Sequence, residues 1–175
     1  MENNFTKKNW RYSAKSVTKY NPLFRNNEGH YTKDEWIGYF QLGENVNGET
    51  LTFQEYLKVE RKYILAAKLF FKLHGCENFI VKNLERKGTA SYQQNDRSEL
   101  VRLYDFINDG TTISVDDIDN VIKLILRELI WCELFCLHNE LIAVRFGYDM
   151  YMYFNSDKEW DGITAEINRI GLFID

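Results

Sequence analysis

The stretch IWCELFCLHNELIAVRFGYDMYMYF, residues 130–154, decides the fold class. Residues 130 to 137 are apolar at nearly every position, the pattern of a central strand covered on both faces. His138-Asn139-Glu140 makes a short connection, Leu141 to Phe146 forms the next strand, Gly147-Tyr148 the next turn, and Met150 to Phe154 the third strand. The side-chain period here is two. It predicts a three-stranded antiparallel meander, with Tyr151 and Tyr153 on one face and Met150, Met152 and Phe154 on the other.

Outward from this stretch the period changes to 3.6. Thr52-Phe53-Gln54-Glu55 has capping-box spacing and opens the clearest helix, about 53–74, in which Phe53, Tyr56, Leu57, Tyr63, Ile64, Ala67, Phe70 and Phe71 recur at three- and four-residue intervals. Gly75 ends it, and an imidazolium at His74 suits the negative end of the helix. Ser114-Val115-Asp116-Asp117 starts a helix of about 115–128 with Ile118, Val121, Ile122 and Ile125 on its buried stripe. Ser156-Asp157-Lys158-Glu159, again a capping box, opens a third, about 157–170. Thr32-Lys33-Asp34-Glu35 predicts a short helix to about Phe40, and Ser98 to Ile107 a weaker one. Short extended pieces are expected near Trp10 to Tyr12, Ser16 to Tyr20, Phe79 to Val81 and Leu172 to Ile174, with a turn at Asn47-Gly48 and a loop from Glu85 to Arg97. The expectation is one α+β domain over residues 1–175, with a basic N-terminal segment of about 1–31.

Composition supports a folded chain. It is 45% hydrophobic and 15% aromatic, with a single proline and no linker-like run. The first fifteen residues hold no apolar run, and no stretch approaches the ~20 apolar residues that cross a bilayer, so a cytoplasmic protein is expected. Cys76, Cys132 and Cys136 are odd in number, which predicts reduced, buried thiols over a disulfide framework. A metal would most naturally use Cys132, Cys136 and His138, but positions four apart on a strand lie roughly 13 Å apart and cannot share one ion. No metal and no cofactor are expected.

No common catalytic arrangement is present: G-x-S-x-G, a P-loop, G-x-G-x-x-G and H-E-x-x-H are all absent. Asp116, Asp117 and Asp119 suit the helix N-terminus they occupy. His30, beside Tyr31, Asp34 and Glu35, is the one candidate acid/base in a polar loop.

Charge is distributed unevenly. Residues 1–20 carry five basic side chains and one acidic in a chain of net charge −4. Residues 96–119 hold seven acids and two arginines, and residues 133–175 eight acids against Arg145, Lys158 and Arg169. Such acidity disfavours nucleic acid and suits a basic partner. The lysines interleaved with Trp10, Tyr12 and Tyr20 are the one pattern that fits single-stranded nucleic acid.

The segment NELIAVRFGYDMYMYF, 139–154, followed by a capped amphipathic helix and a short hydrophobic C-terminus, resembles the closing part of small bacterial immunity proteins of polymorphic-toxin and contact-dependent growth inhibition systems. The resemblance covers the last third of the chain. It implies a cytosolic, non-catalytic inhibitor that binds one cognate toxin, often a nuclease, and it carries over no catalytic residue. The expected partner is therefore a basic protein toxin, met by Tyr148, Asp149, Tyr151, Asp157 and Asp161, with aromatics as anchors and acids as steering charges. The alternatives are a phage or mobile-element accessory protein binding a host factor or nucleic acid, and a hydrolase using His30.

Overall fold

The computed structural model describes residues 14–87 and 97–174. Among these the elements are β1 (Lys15–Thr18), β2 (Asn45–Val46), β3 (Glu49–Thr50), α1 (Phe53–Leu73), β4 (Asn78–Arg86), α2 (Arg97–Phe106), β5 (Thr112–Ser114), α3 (Ile118–Leu126), β6 (Ile130–Cys136), β7 (Asn139–Phe146), β8 (Tyr151–Asn155), α4 (Asp161–Ile170) and β9 (Phe173–Ile174). The fold is α+β. The extended piece expected at Trp10 to Tyr12 and most of the polar run from Glu85 to Arg97 lie outside the described residues.

The sheet is larger than the expected three-stranded meander. Seven strands run in the order β5-β4-β6-β7-β8-β1-β9, and every neighbouring pair is antiparallel. Two causes explain the difference. The left-handed backbone of Asn83 (φ 55°) accompanies a register shift between Lys82 and Glu85, so β4 pairs with β6 on both sides of it and runs on to Arg86. The short β1 and β9 gain their pairing from residues more than a hundred positions away, which local periodicity cannot register.

α1 forms as its sequence dictates. The Thr52 hydroxyl accepts from the Glu55 amide at 3.2 Å and the Glu55 carboxylate accepts from the Thr52 amide at 2.9 Å. At the other end Gly75 takes a left-handed φ of 67°, letting its own amide and that of Cys76 close on the carbonyls of Lys72 and Phe71. Tyr56, Tyr63, Ala67, Phe70 and Phe71 are fully buried on the inner face. Phe70 stacks on Phe154 of β8 at 4.2 Å, and Phe71 on Phe79 of β4 at 5.7 Å, which seats α1 across the sheet. α3 is shorter than the 115–128 expected, because residues 115–117 form a 3-10 turn capped by Ser114 and the helix closes at Leu126.

The other two capping boxes do not form. The Thr32 hydroxyl donates to the Phe24 carbonyl at 2.7 Å and Glu35 takes Lys19 and Tyr31, so no helix follows and only a 3-10 turn appears at Tyr39–Gln41. The Ser156 hydroxyl accepts from the Lys158 amide at 2.9 Å and meets His74, and α4 begins at Asp161 in place of about 157. In each case a tertiary partner outcompetes the local one.

Behind α1, Glu60 and Arg127 form a two-pronged ion pair at 2.8 and 2.9 Å, almost wholly shielded from water. Tyr39 and Phe53 flank the guanidinium, each with its ring centroid 5.8 Å away. The cysteines also depart from expectation. Cys76 and Cys136 are disulfide-bonded with Cα atoms 5.8 Å apart. Cys132 alone stays free, buried in β6, where burial drives its thiol far above the ordinary range. The helix stop that positions Cys76 beside the end of β6 is a tertiary fact to which cysteine parity is blind.

His74 caps α1, as expected. A carbonyl only accepts, so the 2.7 Å contact with Phe70 fixes a hydrogen on Nδ1, and Nε2 meets the Ser156 hydroxyl at 2.7 Å. Burial holds its pKa below the ordinary value, against the raising effect of the Phe70 carbonyl. The unfolded chain therefore takes up this proton first, near pH ~6.5. Stability should be complete above that pH and fall as pH drops toward and through the folded value. Urea midpoints at about pH 7.5 and about pH 5.5 should show a smaller loss for His74→Gln than for the parent. An equal loss in both would place the sensitivity elsewhere.

Candidate functional site

Among the described residues, the β7–β8 connection is the one place where two consecutive non-glycine residues take positive φ. The Tyr151 amide donates to the Tyr148 carbonyl at 3.0 Å across two central residues, Asp149 (φ 54°) and Met150 (φ 60°), both left-handed. This is the mirror-image hairpin turn that normally takes Asn-Gly. Aspartate tolerates it, but methionine does so at a cost of about 1–2 kcal/mol. From below, the buried Tyr63 hydroxyl of α1 donates to the Met150 carbonyl and accepts from the Lys19 amide, the latter at 2.9 Å. A methyl at Gly147 would sit 2.8 Å from the Tyr153 ring and force that ring to move.

The turn forms one wall of a groove of about 240 Å³. Ile37, Gly38 and Phe40 line it too, with Ile125 and Leu126 at the end of α3 and Ile130 and Trp131 of β6. The Trp131 indole donates to the Phe146 carbonyl at 2.7 Å, which fixes its ring. Glu128 lies on the rim in a left-handed conformation (φ 59°), at the position after a helix where glycine is usual. Among the described residues, five non-glycine residues have positive φ: Asn47, Asn83, Glu128, Asp149 and Met150. The two asparagines accept that conformation readily; the other three all line this groove.

Tyr148 and Asp149 stand together and exposed at the tip of the turn, Tyr148 at 85%. Met150, Met152 and Phe154 are buried inward. Tyr151 is half-buried: its hydroxyl accepts from Arg25 at 3.0 Å and its ring meets Tyr20 at 5.6 Å, so it anchors the 20–31 loop. That loop is braced in turn by Glu35, which takes the Tyr31 hydroxyl at 2.6 Å and the Lys19 ammonium at 2.9 Å. Burial lowers the pKa of Lys19, while Glu35, more open to water, is held low by these two donors although burial alone would raise it. Desolvation, with the Glu35 carboxylate second, pushes the Tyr31 phenol up to about 12.

Asp157 and Asp161 lie elsewhere. Asp157 accepts from Asn139 at 2.8 Å beyond the far end of β8, and Asp161 occupies the first turn of α4. β8 alone separates them from Asp149 by roughly 13 Å. The structure thus gathers Tyr148, Asp149 and Tyr151 at one end of the sheet and leaves the two other acids at the opposite end. His30 sits on an exposed turn, 3.5 Å from Glu28.

Phe40, Glu128 and Trp131 escaped the sequence reading. Only Glu128 carried a usable signal: the link between α3 and β6, Arg127-Glu128-Leu129, is too short to avoid a left-handed residue and contains no glycine. Chemically, the groove offers an apolar lining, an exposed phenol, the carboxylates of Glu128 and Asp149, and the ammonium of Lys87. No family model, no curated protein and no solved structure matches the chain.

Proposed function

We propose that the protein is a non-catalytic inhibitor that binds a basic protein partner, of the kind met in bacterial toxin–immunity pairs, through the groove beside the β7–β8 turn. One observation carries this reading: Glu128 and Met150 are held in a costly left-handed conformation around the same groove, with the exposed Asp149 left-handed beside Met150. Strain of this kind persists where function requires it. An exposed tyrosine beside an acid is also a good anchor for a cationic surface, because an aromatic ring loses little entropy on docking. The acidic balance of the last third favours a partner with a nucleic-acid-handling site, such as a nuclease.

The test begins with identification of the partner by pull-down and mass spectrometry, followed by binding kinetics at two ionic strengths on variants verified as folded. Tyr148→Ala should lose about 2 kcal/mol, roughly 30-fold, chiefly through faster dissociation. Asp149→Lys should slow association, with the difference shrinking as salt is added. Asp157→Lys, at the far end of β8, should act more weakly. Glu128→Gly should raise stability by about 0.5–1 kcal/mol and still weaken binding. Unchanged kinetics in the Tyr148, Asp149 and Glu128 variants, or an acidic partner, would defeat the proposal.

A further inference from the structure

Three donors from distant parts of the chain meet at the end of the sheet opposite the groove. Cys76 is placed by the stop of α1, where its amide closes on the Phe71 carbonyl at 2.9 Å. Cys136 is the last residue of β6, and His138 is the second residue of the Leu137-His138 turn into β7. The two sulfur atoms and an imidazole nitrogen all lie within 4.8 Å of one another. Cys76 follows the end of α1 and Cys136 ends β6, and His138 meets Cys136 from the adjoining turn.

We propose that, when the Cys76–Cys136 bond is reduced, Cys76, Cys136 and His138 form a binding site for a thiophilic divalent cation of the zinc type. Metal–sulfur bonds of ~2.3 Å and metal–nitrogen bonds of ~2.0–2.1 Å at tetrahedral angles place sulfur and nitrogen ~3.6 Å apart and the two sulfurs ~3.8 Å apart. Nδ1 of His138 already lies 3.4 Å from Cys136 Sγ. The cysteines are buried while His138 is exposed, so the ion has a route in and its fourth position faces water. Two thiolates with an imidazole select a soft or borderline ion over magnesium or calcium. Cys132 takes no part, because it is buried within β6 four positions from Cys136, and its place in the expected trio is filled by Cys76.

The chemistry balances in two steps. A dithiol reductant gives two electrons and two protons to the Cys76–Cys136 disulfide, becoming a cyclic disulfide and leaving two thiols. The cation then displaces the two thiol protons and binds two thiolates and the neutral His138 ring. Disulfide and metal site are thus alternative states of the same side chains.

The experiment treats full-length protein with a dithiol, removes the reductant anaerobically, counts thiols, and titrates with Co²⁺ and then Zn²⁺. Reduced protein should bind one equivalent of Co²⁺ with a thiolate-to-cobalt charge-transfer band that Zn²⁺ abolishes; oxidised protein should bind none. Cys76→Ser should remove the band and Cys132→Ser should leave it intact. His138→Ala, an exposed turn position whose replacement spares the core, should weaken Co²⁺ binding by at least about tenfold, since even outer-shell partners of a ligand contribute that much. The proposal is overturned by a disulfide that resists reduction in the folded protein, by the absence of a charge-transfer band in the reduced parent, or by His138→Ala binding as tightly as the parent.

Discussion

Glu60→Ala should destabilise the protein by about 3–5 kcal/mol, because it strands the Arg127 guanidinium away from water without its counter-ion. Glu60 is 1% exposed and Arg127 8%, and the two bonds between them are the charged contacts of this interior site. Tyr39 and Phe53 exclude water from the guanidinium but cannot replace a carboxylate. Arg127→Ala should be similarly harmful by stranding the carboxylate. Replacing both partners at once, with Glu60→Leu and Arg127→Met, should recover most of the loss, since a well-packed apolar pair carries no buried charge. Urea denaturation of the two single variants and the double variant closes the cycle. Strictly additive losses would mean that the pair is not coupled and that water reaches both groups.

Phe70→Ala should cost a comparable 3–5 kcal/mol, from lost burial and from the cavity left behind. The ring is fully buried, stacks on Phe154 at 4.2 Å and meets the His74 ring at 4.5 Å, so its removal opens the junction between α1, β8 and the loop after it. Ile122→Ala, inside α3, should cost about 2–5 kcal/mol by the same mechanism. Lys58→Ala, on the exposed face of α1, should change stability by less than about 0.5 kcal/mol. Lys62 is not an equivalent control, because its ammonium donates to the Gly171 carbonyl at 3.2 Å. Similar losses for Phe70→Ala and Lys58→Ala would show that the helix faces are misassigned.

The helix and strand periods legible in residues 53–74 and 130–154 come from side chains that all answer to one nearby surface, which is why α1 and β6 to β8 could be anticipated. Three segments had capping-box spacing, yet only Thr52 with Glu55 uses it. Thr32, Glu35 and Ser156 have the same local option and find stronger partners in Phe24, Lys19, Tyr31 and His74. β1 and β9 were legible as short extended pieces but not as members of the sheet, because β8 and each other supply their backbone partners from far along the chain. In the candidate site, the turn expected at Gly147-Tyr148 lies two residues on, with Asp149 and Met150 at its centre and β8 beginning at Tyr151. Tyr151 did not behave as a free anchor, because Arg25 and Tyr20 cover it from a loop whose course no period encodes. Cys76 was likewise invisible beside Cys136 until the helix stop was placed against the strand end.

The pairing of β1 with β9 has a mechanical consequence. β1 meets β9 with Val17 opposite Ile174 and Thr18 opposite Phe173, so the chain enters one strand and leaves the other on the same side of the sheet. Their hydrogen bonds lie perpendicular to the strands. A pull applied at Lys15 and Ile174 therefore loads those bonds one after another, as in a zipper, and not all together in shear. A probe gripping those two residues would peel β9 from β1 at low force, while the Cys76–Cys136 link still held α1 to the middle of the sheet.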